Sequence, residues 1–285
     1  MRRRALLLAP LLAAAAAPER VLTLGGAVTE AVFALGAADR LVGTDLTSRY
    51  PEAAAALPKT GYLRALGAEG VLSLRPSLVL ASADAGPPAA LRQVAAAGVR
   101  IVTLPEAHAP TAALDRIAAI AAALHRDPSP LLARLRADLA QVQADIATLP
   151  ARPRVLFLLS AGRGAPLAAG ADTAADAMLR LAGARNAIAG HAYRPISAEA
   201  VLLAAPELIV TTDDTLAGLG DAGALLALPG LAATPAGRGR RVAAFDALYL
   251  LGFGPRLAGA LRHLALAVHP DAALRPLPSA GAPAG

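Results

Sequence analysis

The stretch SPLLARLRADLAQVQADIATLP, residues 129–150, is one long helical pattern between two groups of apolar strands. Ser129 can cap such a helix, Pro130 suits its first turn, and Pro150 would end it. Its larger apolar residues recur at helical spacing, at Leu132, Leu135, Leu139, Val142 and Ile146. A helix of about 20 residues runs ~30 Å, enough to brace one lobe of a protein against another. We therefore predict an interlobe helix over residues 128–150.

Short apolar runs rich in Val, Leu and Ile alternate with helical patterns on both sides of this segment. They lie at residues 20–25, 41–45, 78–82 and 100–105 before it and at residues 154–160, 207–212 and 241–246 after it. This alternation is typical of a parallel sheet with crossover helices. The 285 residues are also more than one typical domain needs. The pattern predicts two α/β lobes, at residues 18–127 and 151–269.

The first residues, MRRRALLLAPLLAAAAAPER, combine a basic start, a short apolar run and small residues suited to cleavage. We interpret residues 1–17 as a signal peptide, because the apolar run is much shorter than the ~20 residues that span a bilayer. A membrane anchor is the alternative. The chain contains no Cys, so it can form no disulfide and can carry no lipid on a Cys. We expect an exported, cleaved protein of the periplasm that is not a lipoprotein and does not insert into the membrane.

The composition favours a folded protein, with 56% apolar and 17% charged residues. The chain has 27 Lys and Arg against 21 Asp and Glu, and three of these Arg lie in the leader. The remaining positive charge is too small, and too little interleaved with aromatic residues, to indicate nucleic-acid binding. The tail, residues 270–285, has the composition of a disordered end.

An internal repeat links the two predicted lobes. AEGVLSLRPSLVL at residues 68–80 and AEAVLLAAPELIV at residues 198–210 align without gaps and share Ala-Glu, Val-Leu and Pro at matching positions. The lobes are therefore expected to be related units. Glu69 and Glu199 each begin a short helix, where a carboxylate stabilises the positive end of the helix dipole.

Signatures of the common α/β enzymes are missing from the sequence. It has no G-x-S-x-G, no Walker phosphate loop and no G-x-G-x-x-G after a strand, and its five His show no zinc-ligand spacing. The glycine-rich turn at residues 24–36 is interpreted as a connector, with anion binding by its backbone N–H groups as the alternative. A second glycine-rich loop at residues 162–170 offers Arg163 as an anion contact. We expect a binding protein and not an enzyme.

A Tyr-x-Arg pair stands out in a chain with only four Tyr. Tyr62 and Arg64 precede the first copy of the repeat, where loops of open α/β sheets form ligand crevices. If these residues are extended, the two side chains point to the same side. A phenolate suits ferric iron, Tyr is an established haem ligand, and Arg guanidinium groups suit the haem propionates. The alternative is a half-buried Tyr that fills the edge of a lobe.

A comparable group precedes the second copy of the repeat. The run GHAYRPISAEA places His191, Tyr193 and Arg194 just before Glu199. The two loops are expected to face a common cleft and to mirror one another.

Several stretches of the chain together resemble one family. They are RVLTLGGAVTEAVFALGAADRLVGTD, YPEAAAALPKTGYLRALGAEGVLSLRPSLVLAS, AAPELIVTT and FDALYLLGFGPR. They resemble the bacterial periplasmic haem-binding proteins that feed haem ABC importers, over about residues 20–269. These proteins belong to the helix-braced class of substrate-binding proteins, together with the vitamin B12 and ferric-siderophore binders.

The resemblance implies an α/β fold of two Rossmann-like lobes with central parallel sheets, joined by a single long α-helix, with the ligand cleft between the lobes. It implies that ferric haem, as haem b, is captured and delivered to an inner-membrane ABC permease dimer with its ATPase. Tyr62 falls on the axial iron ligand, Arg64 on its supporting cation, and Glu69 and Glu199 on the acidic residues that dock onto the permease. We expect a monomer. A vitamin B12 or ferric-siderophore binding protein of the same fold is the alternative.

The second lobe departs from the family pattern at one place. Some members have a His after its first strand, where this chain reads LLSAGRG. We therefore expect five-coordinate haem on Tyr62, with His191 as the alternative sixth ligand. Arg163 and Arg194 are the candidate propionate partners, with Tyr193 beside them.

Overall fold

A computed structural model describes residues 19–162 and 164–281 of the chain. The predicted signal peptide at residues 1–17, Arg163 and the last residues, 282–285, lie outside the described residues. Within the described part, no helix has both the length and the apolar character that a membrane crossing requires. The chain forms two α/β lobes, one after the other in sequence.

The N-terminal lobe is built on a parallel sheet. Its strands are β1 (Val21–Leu24), β2 (Leu41–Thr44), β3 (Leu78–Ser82) and β4 (Arg100–Leu104). Its helices are α1 (Gly26–Ala34), α2 (Glu52–Ala55), α3 (Ala68–Ser73), α4 (Pro88–Ala96) and α5 (Pro110–Ala123), with a 3₁₀ turn at Ala38–Arg40. The strand order is β2-β1-β3-β4. Because neighbouring residues of a strand face opposite ways, Leu80 packs with α1 and α5 on one face, and Val79 packs with α3 and α4 on the other.

The C-terminal lobe follows after α6 (Ser129–Ala147) and has a mixed sheet. Its strands are β5 (Arg154–Ser160), β6 (Leu167–Ala169), β7 (Arg185–Asn186), β8 (Tyr193–Pro195), β9 (Leu208–Thr212) and β10 (Val242–Phe245). Its helices are α7 (Ala174–Leu181), α8 (Ala198–Ala204), α9 (Asp213–Leu219), α10 (Ala222–Leu226), α11 (Pro235–Arg238), α12 (Ala247–Leu251) and α13 (Leu257–Val268), with a 3₁₀ turn at Pro278–Gly281. The parallel strands run β7-β5-β9-β10. Strand β6 pairs antiparallel with β5, and β8 pairs antiparallel with β6. The sequence pattern missed β6, β7 and β8 because two or three residues are too few to show a period.

The internal repeat forms the same unit in both lobes. Helix α3 leads into β3 beside β1, and helix α8 leads into β9 beside β5. The register also matches, with Val21 opposite Leu78 in the first lobe and Val155 opposite Leu208 in the second. The order β2-β1-β3-β4 therefore corresponds to β7-β5-β9-β10, and the expected relation between the lobes is confirmed.

Helix α6 contributes to the cores of both lobes. The buried apolar residues of its first half pack with the N-terminal lobe, and those of its second half pack with the C-terminal lobe. They are Leu131, Leu132 and Leu135 in the first half and Leu139, Val142 and Ile146 in the second. The chain passes from the first sheet to the second through α5 and α6. The lobes are therefore connected through packed side chains as well as through the backbone.

The start of α6 differs from the prediction in how it is capped. Ser129 lies inside the helix, and Pro128 occupies the N-cap position without a capping side chain. The carboxylate of Asp127 accepts the N–H of Ser129 at 2.9 Å instead, and this hydrogen bond lowers the pKa of Asp127. An acidic residue just before the helix thus satisfies one of its free N–H groups.

The C-terminal tail packs against α6 and α13, so the prediction of disorder over residues 270–285 is wrong for its described part. Leu274 is buried in the core of the second lobe, and Arg262 donates to its carbonyl oxygen at 3.0 Å. Arg275 pairs with Asp145 of α6, and its hydrogen bond lowers the pKa of Asp145. Composition missed these contacts because each one joins a single tail residue to a partner far away in the sequence.

Replacing Leu139 with Ala should lower the free energy of unfolding by about 2–5 kcal/mol, because it leaves a cavity in the core. Since α6 belongs to both cores, the whole protein should still unfold in one cooperative transition. Denaturant unfolding followed by far-UV circular dichroism measures both quantities. Arg136→Ala, at an exposed position of the same helix, is the control and should change the stability by less than ~0.5 kcal/mol. Two separate transitions, of which only one is shifted, would contradict a shared core helix.

Candidate functional site

A cleft of about 510 Å³ lies between the two lobes. One wall is formed by loops that follow β1, β2 and β3 and by residues 62–64, and the other by Asp214 and residues 246–252. Loops beyond the carboxyl ends of parallel strands are where open α/β sheets bind ligands. The volume also lies in the range of ~300–1,000 Å³ that is usual for small-molecule sites. The cleft is therefore the candidate ligand site.

Tyr62 points into this cleft, and 46% of the residue is exposed. The segment that carries it is a turn and not an extended strand, because the N–H of Ala65 donates to the carbonyl oxygen of Tyr62 at 2.8 Å. Leu63 is buried and anchors the turn to the lobe through its carbonyl oxygen, which accepts the N–H of Gly86. Gly61, at φ +107°, makes the turn possible in a conformation that other residues rarely adopt. A fixed backbone thus presents an exposed phenol.

Arg64 connects Tyr62 to a carboxylate that sequence reasoning missed. Its Nη1 donates to the Tyr62 hydroxyl oxygen at 3.2 Å, and its Nη2 donates to the carboxylate of Asp84. The hydrogen bond to Tyr62 raises the pKa of Arg64, and the bond to Asp84 acts in the same direction. Because different nitrogens serve the two partners, Asp84 fixes the orientation in which the guanidinium faces the phenol. The position of Asp84 just after β3 is the signal that could have identified it.

The loop after β2 is held rigidly beside this turn. Asp45 is fully buried, and its carboxylate accepts the N–H groups of Gly25 and Thr47 at 2.8 and 2.9 Å. The N–H of Gly26 donates to the Thr47 hydroxyl, and the N–H of Leu46 donates to the carbonyl oxygen of Gly61. The first N–H groups of the glycine-rich turn are therefore used within the protein, which favours the connector interpretation over anion binding.

Apolar side chains cover much of the remaining cleft surface. Leu46 is 51% exposed on the first wall, and Leu248 and Leu251 of α12 lie on the second. Such a surface suits a ligand with a broad apolar face.

The group that precedes the second repeat does not join Tyr62 in the cleft. His191 is exposed, and its Nδ1 lies 2.5 Å from the carboxylate of Asp172. Tyr193 packs against the core of the second lobe, and burial raises its pKa, while the charge of Arg64 acts weakly against this shift. Arg194 is exposed on β8. Since none of the three lines the cleft, the expected mirror image of the Tyr62 turn does not form.

Glu69 and Glu199 occupy equivalent places on the surface. Each is the second residue of its short helix, α3 or α8, and each is exposed. The side chain of Ser197 caps α8 and lowers the pKa of Glu199 by hydrogen bonding, whereas Gly67 precedes α3 without a capping side chain. The structure therefore brings the two carboxylates to matching positions on the two lobes.

An ion pair between a partly buried arginine and a buried glutamate joins the two lobes. Arg256 forms a two-pronged pair with the carboxylate of Glu30 in α1, with one distance of 3.0 Å. Burial raises the pKa of Glu30, and the hydrogen bond from Arg256 acts against this shift. The guanidinium also stacks on the ring of Tyr50, 3.7 Å from the ring centre. The second lobe is thereby held to the first at a defined place.

Arg116 of α5 makes a second connection. It is 3% exposed and donates to the carbonyl oxygens of Gly252 and Phe253 at 3.0 and 2.6 Å. Its other nitrogen lies 3.3 Å from the carboxylate of Glu106, which lines the cleft. The wall that α12 contributes is thus fixed from the first lobe.

No group of three or more His, Cys, Asp or Glu side chains is placed to hold a metal ion among the residues that the structure describes. In the cleft, the side chain best suited to an iron atom is Tyr62, which alone can offer a phenolate there.

The fold and the cleft define a two-lobed binding protein whose ligand lies between the lobes. The chain belongs to the periplasmic binding protein family, whose model matches residues 21–249. This is a family of binding proteins and not of enzymes.

Solved structures and known sequences extend this similarity over most of the chain. The chain is 50% identical to the periplasmic heme-binding protein BhuT in complex with two hemes, with a TM-score of 0.85 over 88% of this chain and 97% of that one. It is 40% identical to the periplasmic heme-binding protein RhuT from Roseiflexus sp. RS-1, with a TM-score of 0.86 over 90% and 100% of the two chains. It is also 30% identical to the vitamin B12-binding protein of Photorhabdus laumondii, over 68% of this chain and 71% of that protein.

Replacing Arg256 with Ala should lower the free energy of unfolding by about 3 kcal/mol, because the buried carboxylate of Glu30 loses its partner. Adding Glu30→Gln to this variant should restore part of the loss, since no buried charge then remains unpaired. Urea unfolding of the two single variants and the double variant measures the coupling. Additive losses in the double variant would show that the pair does not hold the lobes together.

Proposed function

We propose that this protein is a periplasmic receptor that captures ferric haem and delivers it to an inner-membrane ABC importer. The observation that carries this proposal is the Tyr62–Arg64 pair, exposed in a cleft between two lobes. The 50% and 40% identity to periplasmic heme-binding proteins supports the same ligand. The protein holds and releases this cargo without altering it.

Tyr62 is proposed to bind the iron atom as a phenolate. Arg64 stabilises the phenolate charge through its hydrogen bond, and Asp84 keeps Arg64 in place. The exposed apolar residues of the cleft would contact the macrocycle of haem b. His191 interacts with Asp172 and does not line the cleft, which favours five-coordinate iron.

Vitamin B12 is the second candidate ligand. The 30% identity to a vitamin B12-binding protein favours it, and the fold suits both ligands equally. The difference lies in Tyr62, because a cobalamin or ferric-siderophore receptor does not need an exposed phenol supported by an arginine.

The leader supports export to the periplasm. Residues 1–17 have the features of a cleaved signal peptide, and without Cys the mature protein has no site for a lipid anchor. The family to which the chain belongs acts in the same compartment. We propose a monomer that diffuses between its haem source and the importer.

Glu69 and Glu199 are proposed to dock the receptor on the permease dimer, which works with its ATPase. Two matching carboxylates on two matching lobes suit a partner with twofold symmetry and basic pockets. When the docked lobes are pulled apart, the contacts from the two walls of the cleft weaken together and the haem is released.

Ferric haem titrated into the mature protein should saturate at about one equivalent and give a tyrosinate-type ferric spectrum. Tyr62→Phe removes the oxygen donor and should abolish that spectrum and weaken binding at least ~tenfold. Absorption spectroscopy measures both effects. Tyr50→Phe is the matched control, because Tyr50 is a similarly exposed tyrosine of the same lobe that does not line the cleft. Equal spectra for the Tyr62→Phe variant and the unaltered protein would refute the iron ligand, and tight binding of cobalamin instead would favour the second candidate.

Reversing both docking charges, with Glu69→Lys and Glu199→Lys, should abolish stimulation of the importer's ATPase by the loaded receptor. Haem binding should not change, because neither residue lines the cleft. ATP hydrolysis by the importer in proteoliposomes and a parallel haem titration measure the two effects. Glu52→Lys with Asp115→Lys, at exposed positions of α2 and α5, matches the change in net charge. Full stimulation by the doubly reversed receptor would remove these residues from the docking surface.

A further inference from the structure

An ion pair spans the cleft between the two lobes. Arg49 follows β2 on the first wall, and Asp214 lies in the first turn of α9 on the second. The Nη1 of Arg49 donates to the Oδ2 of Asp214 at 2.9 Å, and the two side chains are 64% and 69% exposed. We propose that Arg49 changes partner when the ligand is loaded. Its guanidinium releases Asp214 and binds a carboxylate group of the ligand instead. This inference rests on the proposed function, in which that carboxylate is a haem propionate.

The position of Arg49 suits a contact with the same ligand that Tyr62 would hold. Its loop is fixed by the buried carboxylate of Asp45, and the neighbouring N–H of Leu46 donates to Gly61 at the start of the Tyr62 turn. One wall of the cleft therefore carries an oxygen donor for iron, an exposed apolar side chain and a cation. These are the three chemical features that a flat, dianionic iron macrocycle requires.

The other charges in the cleft single out Arg49. Among the described residues that line the cleft, the basic ones are Arg49 and Arg64. Arg64 already serves the Tyr62 hydroxyl and the Asp84 carboxylate with separate nitrogens. Arg49 makes its side-chain bond to a single exposed acid, so its guanidinium can turn to another carboxylate.

Among the described residues, the opposite wall contributes acidic and no basic side chains to the cleft. Asp213 and Asp246 lie near Asp214, and burial raises the pKa of Asp213, with both neighbouring carboxylates adding to the shift. Of the described residues that line the cleft, those able to neutralise an anionic group of the ligand therefore belong to the first lobe. Because an exposed ion pair contributes little to stability, Arg49 can leave Asp214 at small cost. The geometry of a guanidinium–carboxylate pair is the same with either partner.

The test compares ferric haem with ferric haem dimethyl ester, which lacks both carboxylates, in the same detergent solution. Arg49→Gln should weaken haem binding roughly tenfold and leave ester binding unchanged, since the lost bond is charge-assisted. Asp214→Asn should tighten haem binding about two- to fivefold by removing the competing carboxylate, again without effect on the ester. In the Arg49→Gln background, Asp214→Asn should give no gain. Absorption titrations at constant ionic strength measure the dissociation constants.

Arg92→Gln is the control for net charge, because Arg92 is exposed on α4 of the same lobe and does not line the cleft. The proposal is overturned if Arg49→Gln weakens both ligands equally, if it weakens neither, or if Asp214→Asn weakens haem binding. The tyrosinate-type spectrum of the unaltered protein distinguishes failure of this proposal from failure of the proposed function. If the protein shows that spectrum but Arg49→Gln does not change haem binding, only the partner exchange is refuted. If the protein does not show that spectrum, the haem site itself is refuted.

Discussion

Each lobe buries its own sheet, so neither core by itself determines where the other lobe lies. Helix α6 supplies that constraint, because one face of it is buried in the first core over its first half and in the second core over its second half. Rotating one lobe relative to the other would expose apolar residues of this helix or bend it. The guanidinium groups of Arg116, which is buried, and Arg256, which is partly buried, add polar contacts across the same boundary. These contacts join the first lobe to the wall that α12 contributes.

The position of Tyr62 in the cleft is determined by backbone hydrogen bonds of its turn and not by packing of its side chain. The turn that carries it is tied to Gly86 on one side and to the loop after β2 on the other. The phenol itself remains half exposed, and the side-chain hydrogen bond that it makes is to Arg64. A buried tyrosine would be blocked from a large ligand, and one on a loose loop would lose rotational freedom on binding. A rigid turn with an exposed tip avoids both costs.

The sequence predicted the parts of the structure that have a period or a repeat. The long strands, helix α6 and the paired positions of Glu69 and Glu199 all follow from apolar spacing or from the internal repeat. The sequence did not predict contacts that join single residues across long distances. Asp84 beside Arg64, Asp214 beside Arg49 and the tail residue Arg275 beside Asp145 belong to this class.

The symmetry of the two lobes was also the source of an error. The repeat led to the expectation that His191 and Tyr193 would mirror the Tyr62 turn, but the second lobe inserts the antiparallel strands β6 and β8 at this place. Strand pairing directs Tyr193 to the core and leaves His191 at the surface. The lobes therefore match at α3 and α8, the surface proposed for docking, and differ in the cleft. Such an asymmetric cleft suits the proposed ligand, haem, because its iron atom and its carboxylate edge need different side chains. The fold thus combines two matching helices on its surface with a cleft whose two walls differ.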